Sequence, residues 1–145
     1  RVTADRDAAT ALDDVKIHVR IKLSALWTSV MLCYLYGDYF GLYVPGTVQH
    51  MLDGRMGELG PTTPGVVLAM ALTMAVPSAM VFLSLVLEAA VCRWANIVLG
   101  AVYTAIMLLS MPGMWTFYIA LGVIEVVFTL LIVRYAWTWP KRVAA

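Results

Sequence analysis

Apolar residues fill this chain in long runs, broken by short polar clusters rather than by the regular alternation of a soluble sheet. A helix rises 1.5 Å per residue, so roughly 20 apolar residues cross a hydrocarbon core about 30 Å thick. Four runs meet that length, at about 23–43, 65–87, 95–111 and 115–137, the third being the shortest. PTTPG (61–65) and SMPG (110–113) supply Pro/Gly breaks before the second and fourth runs. Trp27, Trp94, Trp115, Trp137 and Trp139 fall near the predicted run ends, where an aromatic belt is expected. The first run is too long for the core of a signal peptide and lacks an A-x-A-like end, so it reads as a span. The predicted fold class is all-α, an integral membrane four-helix bundle.

Composition strengthens this reading. The 145 residues are 62% hydrophobic and 13% charged, with mean hydropathy +0.84. Soluble domains sit near 45–50% apolar and about 25% charged, and one this small cannot hide such an excess from water. Lipid bilayer is the expected surrounding, with length for one compact bundle and no separate catalytic domain. Formal net charge is +1, which gives no basic surface for nucleic acid. Nine of the ten basic residues lie before the first run, between the second and third, or near the chain end; only Arg55 lies in the 44–64 loop. That asymmetry puts both termini in the cytoplasm. The organisation expected is a polar, basic N-terminal segment over 1–22 (with 1–14 mobile), a transmembrane domain over 23–139 and a tail over 140–145.

Two local patterns qualify the helical picture. DVKIHVRIKL (14–23) alternates apolar and polar positions, a strand signal. It fits a strand paired with a neighbouring subunit, or, with less to assume, a helical extension of the first span whose basic side chains meet anionic headgroups. In the outer loop, Val48, Met51, Leu52, Met56 and Leu59 suggest a short interfacial helix. His50, Met51 and Met56 resemble copper ligands, but nine methionines spread along the chain read better as gap-filling core residues, and no metal site is expected. Cys33 and Cys92 form no CxxC pair and read as small buried residues.

Inside the bundle, helical spacing gives each span one smaller, more polar face. The first span aligns Ser24, Thr28, Met31, Leu35 and Asp38, flanked by Tyr34 and Gly41; the second aligns Thr73, Pro77, Met80, Ser84 and Glu88. The third aligns Asn96, Gly100, Thr104 and Met107 beside Tyr103, and the fourth Tyr118, Gly122, Glu125 and Thr129. Small residues and hydroxyls are what any membrane bundle needs for close helix approach. The carboxylates ask for more. Asp38 lies roughly 22 Å along its span and Glu125 roughly 15 Å along the antiparallel one, levels about a helical turn apart. An acid at such depth costs on the order of 3 kcal/mol, and no Lys or Arg lies at that level. A proton, a cation, water or a tyrosine hydroxyl must compensate it. The candidate ligand, ion or proton site is therefore Asp38 and Glu125 with Tyr34, Tyr39, Tyr103, Tyr118, Thr104 and Asn96. A water-filled outer vestibule is the structural alternative for Asp38. Pro77 is expected to kink the second span.

The stretches KLSALWTSVMLCYLYGDYFGLYVPG, VFLSLVLEAAVCRWANIVLGAVYTAIML and VRYAWTWP resemble a family of small bacterial four-span membrane proteins of unknown function, over about Lys16 to Pro140. That resemblance implies the same four-span plan and a bacterial inner membrane, and carries no catalytic or ligand residue. A looser likeness to DoxX-like proteins is topological only. No HExxH, GxSxG, P-loop or CxxCH motif occurs, so no cofactor is expected and an enzyme is the third choice, acting on lipid. The leading expectation is a small oligomeric inner-membrane protein whose acidic and tyrosine cluster handles a proton, cation or small ligand. The second is a non-transporting accessory subunit of a larger membrane complex.

Overall fold

A computed structural model describes residues 15–56 and 60–140. Four long helices dominate: α1 (Val19–Gly41), α3 (Pro64–Val86), α4 (Ala89–Ser110) and α5 (Thr116–Trp137), with a six-residue helix α2 (Thr47–Leu52) after the first. No strand forms among the described residues. Residues 15–18 form no regular element, and α1 begins at Val19 with His18 as its N-cap, the imidazole Nδ1 accepting the Arg20 backbone N–H at 3.3 Å. The alternating segment thus passes into helix, because a capped helix satisfies its own backbone and a lone strand does not. The expected mobility of 1–14 and the apolar role of Leu59 lie outside the described residues.

Three helices, α3, α4 and α5, are long and apolar enough to cross a membrane, which fits a multi-pass membrane protein. Helix α1 has the length, 23 residues, but Arg20, Lys22, Asp38 and its tyrosines lower its hydropathy. Its position suits that composition: α1 packs closely against both α3 and α5, and α4 packs on α5. Consecutive helices α3 and α4 approach less closely. The core gathers Leu23, Trp27, Val30, Met80, Tyr103, Ile132 and Ala136. Since lipid tails are as apolar as leucine, helix association must rest on close packing and polar bonds.

Two such devices are explicit. At Gly100 an added Cβ would lie 2.8 Å from Val133 Cγ2 and 3.3 Å from the Thr129 carbonyl oxygen, so glycine permits the α4–α5 approach. Four residues on, Thr104 Oγ1 lies 2.7 Å from Thr129 Oγ1, which in turn donates to the Glu125 carbonyl at 3.1 Å. The second device is a buried network joining three helices. Trp27 Nε1–H donates to Asn96 Oδ1 at 2.8 Å, Asn96 Nδ2 donates to the Cys92 carbonyl at 2.8 Å, and the Cys92 thiol donates to the Ser84 carbonyl at 3.3 Å.

The chain reversals use backbone that only glycine takes readily. Gly46 (φ 88°) precedes α2, and Gly113 (φ 79°) turns α4 into α5. The six-residue α2 is shorter than the apolar spacing Val48–Met51–Leu52–Met56 suggests, because Asp53 caps it and Met56 turns back to bond Gly60.

Candidate functional site

The sequence-derived faces of the third and fourth spans largely match the buried positions, with Tyr118 half-buried, whereas the second matches only in its middle, Thr73 and Glu88 being exposed. Pro77, Met80 and Ser84 are buried on α3; Asn96, Gly100, Tyr103, Thr104 and Met107 on α4; Gly122, Glu125 and Thr129 on α5. The first face is displaced by one residue. Helix α1 buries Leu23, Trp27, Val30, Cys33 and Gly37, whereas Thr28, Leu35 and Asp38 are exposed. The predicted polar face turns instead toward α3, where Ser24 Oγ donates to the Val81 carbonyl at 2.7 Å. Trp27 is correspondingly a core residue and not part of an interfacial belt. Helix α1 starts four residues before the apolar run, which places Trp27 about two turns inside.

The close packing of α1 on α5 brings Asp38 and Glu125 onto one cavity of about 140 Å³. Tyr34, Tyr118, Cys33 and Ser110 complete its polar lining, with Met74, Ile106, Met107 and Leu121 as apolar wall. Glu125 is 1% exposed. Its Oε1 and the Tyr34 hydroxyl both lack a hydrogen-bond partner among the described residues. Buried polar atoms left unpaired are uncommon, and each costs on the order of 1–3 kcal/mol or more for a charged group. Both residues line the cavity, and the Glu125 carboxyl and Tyr34 hydroxyl lie near enough to act on each other, so the pair forms one polar group on its wall.

Asp38 sits three residues before the end of α1, and Glu125 nine residues after the start of α5, so their levels differ by roughly 9 Å along the bundle. Outward of Asp38 lies a wider groove of about 650 Å³, between the end of α1, α2 and the start of α5. Gly37, Asp38 and Tyr118 line both spaces. Asp38 therefore stands between the open groove and the inner cavity.

The remaining predicted site residues have other employment. Tyr39 is exposed, and its hydroxyl pairs with that of Tyr43 at 3.0 Å in an aromatic cluster with Phe40. Asn96 is saturated by Trp27 and Cys92, and Thr104 by Thr129 and the Gly100 carbonyl. Tyr103 donates its hydroxyl to the Thr73 carbonyl. That carbonyl is four residues before Pro77, which has no N–H to offer it, so Tyr103 repairs the bond that proline removes. Its ring meets Tyr34 edge-on at 6.4 Å and thus steadies one wall of the cavity. Cys33 and Ser110 were not singled out from sequence for this site. Spacing alone gives no signal for Cys33, because it lies two residues from both Met31 and Leu35, on the opposite side of the helix from the face that Asp38 suggests.

Residues 14–145 match a family of unknown function, DUF6326. The chain belongs to DUF6326. No curated protein and no solved structure matches it. The DUF6326 match spans every residue of the cavity, the groove and the Trp27–Asn96 network.

Proposed function

We propose that this DUF6326 member is a four-span bacterial inner-membrane protein, with both termini cytoplasmic, that takes up a proton or small cation from the outer side. Asp38 receives it at the groove, and Glu125 holds it at mid-depth with the Tyr34 hydroxyl as orienting partner. The observation carrying this reading is Glu125 itself: a fully buried carboxyl, with an unpaired oxygen, on a cavity that another carboxyl links to an open groove. A proton or cation supplies the missing counterpart more cheaply than an isolated buried charge can be tolerated. Nine-to-one partition of the basic residues supports the orientation. The fourth span is α1, whose charges sit near its ends and whose apolar middle packs in the core.

Proton flux into liposomes carrying a trapped pH-sensitive dye tests the reading, with sodium and potassium gradients run in parallel. Glu125→Gln is expected to lower flux at least tenfold, and Asp38→Asn to lower it less, because Asp38 is reachable by water. Flux unchanged in Glu125→Gln, or no flux above empty liposomes for any of the three ions, would overturn it.

A second reading, a non-transporting accessory subunit of a larger membrane complex, draws on α3. That helix buries only Pro77, Met80 and Ser84 over 23 residues, leaving a broad apolar flank for lipid or a neighbouring chain. Stable co-purification with unrelated membrane subunits in mild detergent would favour it over ion handling.

A further inference from the structure

We infer that the end of the bundle opposite the carboxyl groove binds a phosphate-bearing anion, held by Arg20 and Arg93. A pocket of about 650 Å³ opens there, lined by His18, Arg20, Ala89, Arg93, Trp139 and Pro140, and it shares no residue with the carboxyl cavity. The inference is independent of the proposed ion handling.

Donor accounting carries it. A guanidinium offers five N–H donors in a fixed fork. Arg20 donates from Nη1 to the Leu85 carbonyl at 2.9 Å and the Leu87 carbonyl at 2.6 Å, which pins the group in place. Its Nε and Nη2 make no bond among the described residues, and that edge matches two oxygens of one phosphate. Arg93 is fixed from its other side, with Nε donating to the Ala136 carbonyl at 3.2 Å and Nη2 to the Trp137 carbonyl at 3.5 Å, leaving Nη1. Aromatic faces hold both cations further: Arg20 lies 5.8 Å from the Trp139 ring centre and Arg93 5.7 Å from that of Trp94.

His18 adds a third donor. Its Nδ1 accepts the Arg20 N–H, so the ring hydrogen of the neutral form sits on Nε2. Ala89 and Ala90, being small, leave the floor of the pocket open. Glu88 is the neighbouring acid, and neither guanidinium donates to it. Capping of helix ends explains the bonded edges of the two arginines. It does not explain why two arginines with donors to spare line one pocket with His18 and Trp139. Basic pockets at the ends of membrane helices suit anionic lipid headgroups, and a free phosphate offers the same oxygens.

Native mass spectrometry of the full chain in mild detergent tests this, with phosphatidylglycerol, phosphatidylcholine and inorganic phosphate as probes. Phosphatidylglycerol is expected to be retained about tenfold or more over phosphatidylcholine, as loss of one or two charge-assisted bonds implies. Displacement of that lipid by inorganic phosphate would make the site one for free phosphate as well, and retention in its presence would make it a headgroup site. R20Q/R93Q should abolish the preference, R20K/R93K should weaken it by removing the fork while keeping the charge, and K22Q should leave it intact. Equal retention of both lipids by the unsubstituted chain without phosphate binding overturns the inference, and needs no variant to fold. So does a lipid preference that survives in folded R20Q/R93Q.

Discussion

At the scale of single residues, polar groups in this chain divide into those that repair the fold and those left open. Tyr103 belongs to the first kind. Its hydroxyl replaces the amide that Pro77 lacks, so Tyr103→Phe should destabilise the bundle by about 1–3 kcal/mol through the unpaired Thr73 carbonyl. Pro77→Ala restores the amide, and in that background the cost of Tyr103→Phe should shrink toward zero. Denaturation of the four members of this double-mutant cycle measures the coupling, and additive effects would disprove the repair. Glu125 and Tyr34 belong to the second kind, since their unpaired atoms face a cavity rather than a backbone group. Sequence depth singled out Glu125 correctly as an inward acid, but could not separate it from Asn96 or Thr104, whose bonding capacity is used up by partners 69 and 25 positions away.

Among the helices, α4 and α5 form the tightest unit, and Gly100 sets their distance. Gly100→Ala would drive a methyl group to 2.8 Å from Val133 Cγ2 with a backbone oxygen close behind. Overpacking of this kind costs about 1–3 kcal/mol, so the midpoint of thermal or detergent unfolding should fall clearly. An unaltered midpoint would mean the two helices separate without penalty. Gly122 looks similar in sequence but meets the flexible ends of Met107 and Met111, which can move aside, so Gly122→Ala should cost less. Helix α1 is the element that pattern misplaced by one residue. In a helix with apolar side chains on nearly every face, the polar stripe need not point at the core, and here it points at α3.

For the whole molecule, the two ends differ in chemistry. One collects Arg20, Lys22, Arg93 and Arg134, with cation–π contacts from Arg20 to Trp139 and from Lys22 to Tyr135. The other carries Arg55, Asp38 and Asp53 with the groove. Proposed orientation with the basic end inside predicts that a cysteine at position 55 reacts with an impermeant maleimide on intact cells. A cysteine at position 138 should react only after the membrane is opened. The unsubstituted chain, with Cys33 and Cys92 buried, provides the unlabelled background. The reverse labelling pattern would invert the topology and put the carboxyl groove on the cytoplasmic side.

Sequence by itself determined that the chain is helical and that its runs are apolar enough to fit a membrane: those runs, their breaks and the charge partition follow from composition and local periodicity, which need no knowledge of neighbours. It also determined most of the inner faces of α4 and α5 and the middle of that of α3, because small and polar residues recur there at helical spacing amid aliphatic ones. Tertiary structure alone decided which acids share a cavity, that Trp27 lies in the core, and that Arg20 and Arg93 meet at one pocket. Those facts depend on the order of helices around the bundle and on each helix's rotation about its axis. Lipid rewards an apolar residue on the outside as much as the core does inside, so hydrophobicity cannot fix that rotation; only pairwise fit and hydrogen bonds between distant positions can.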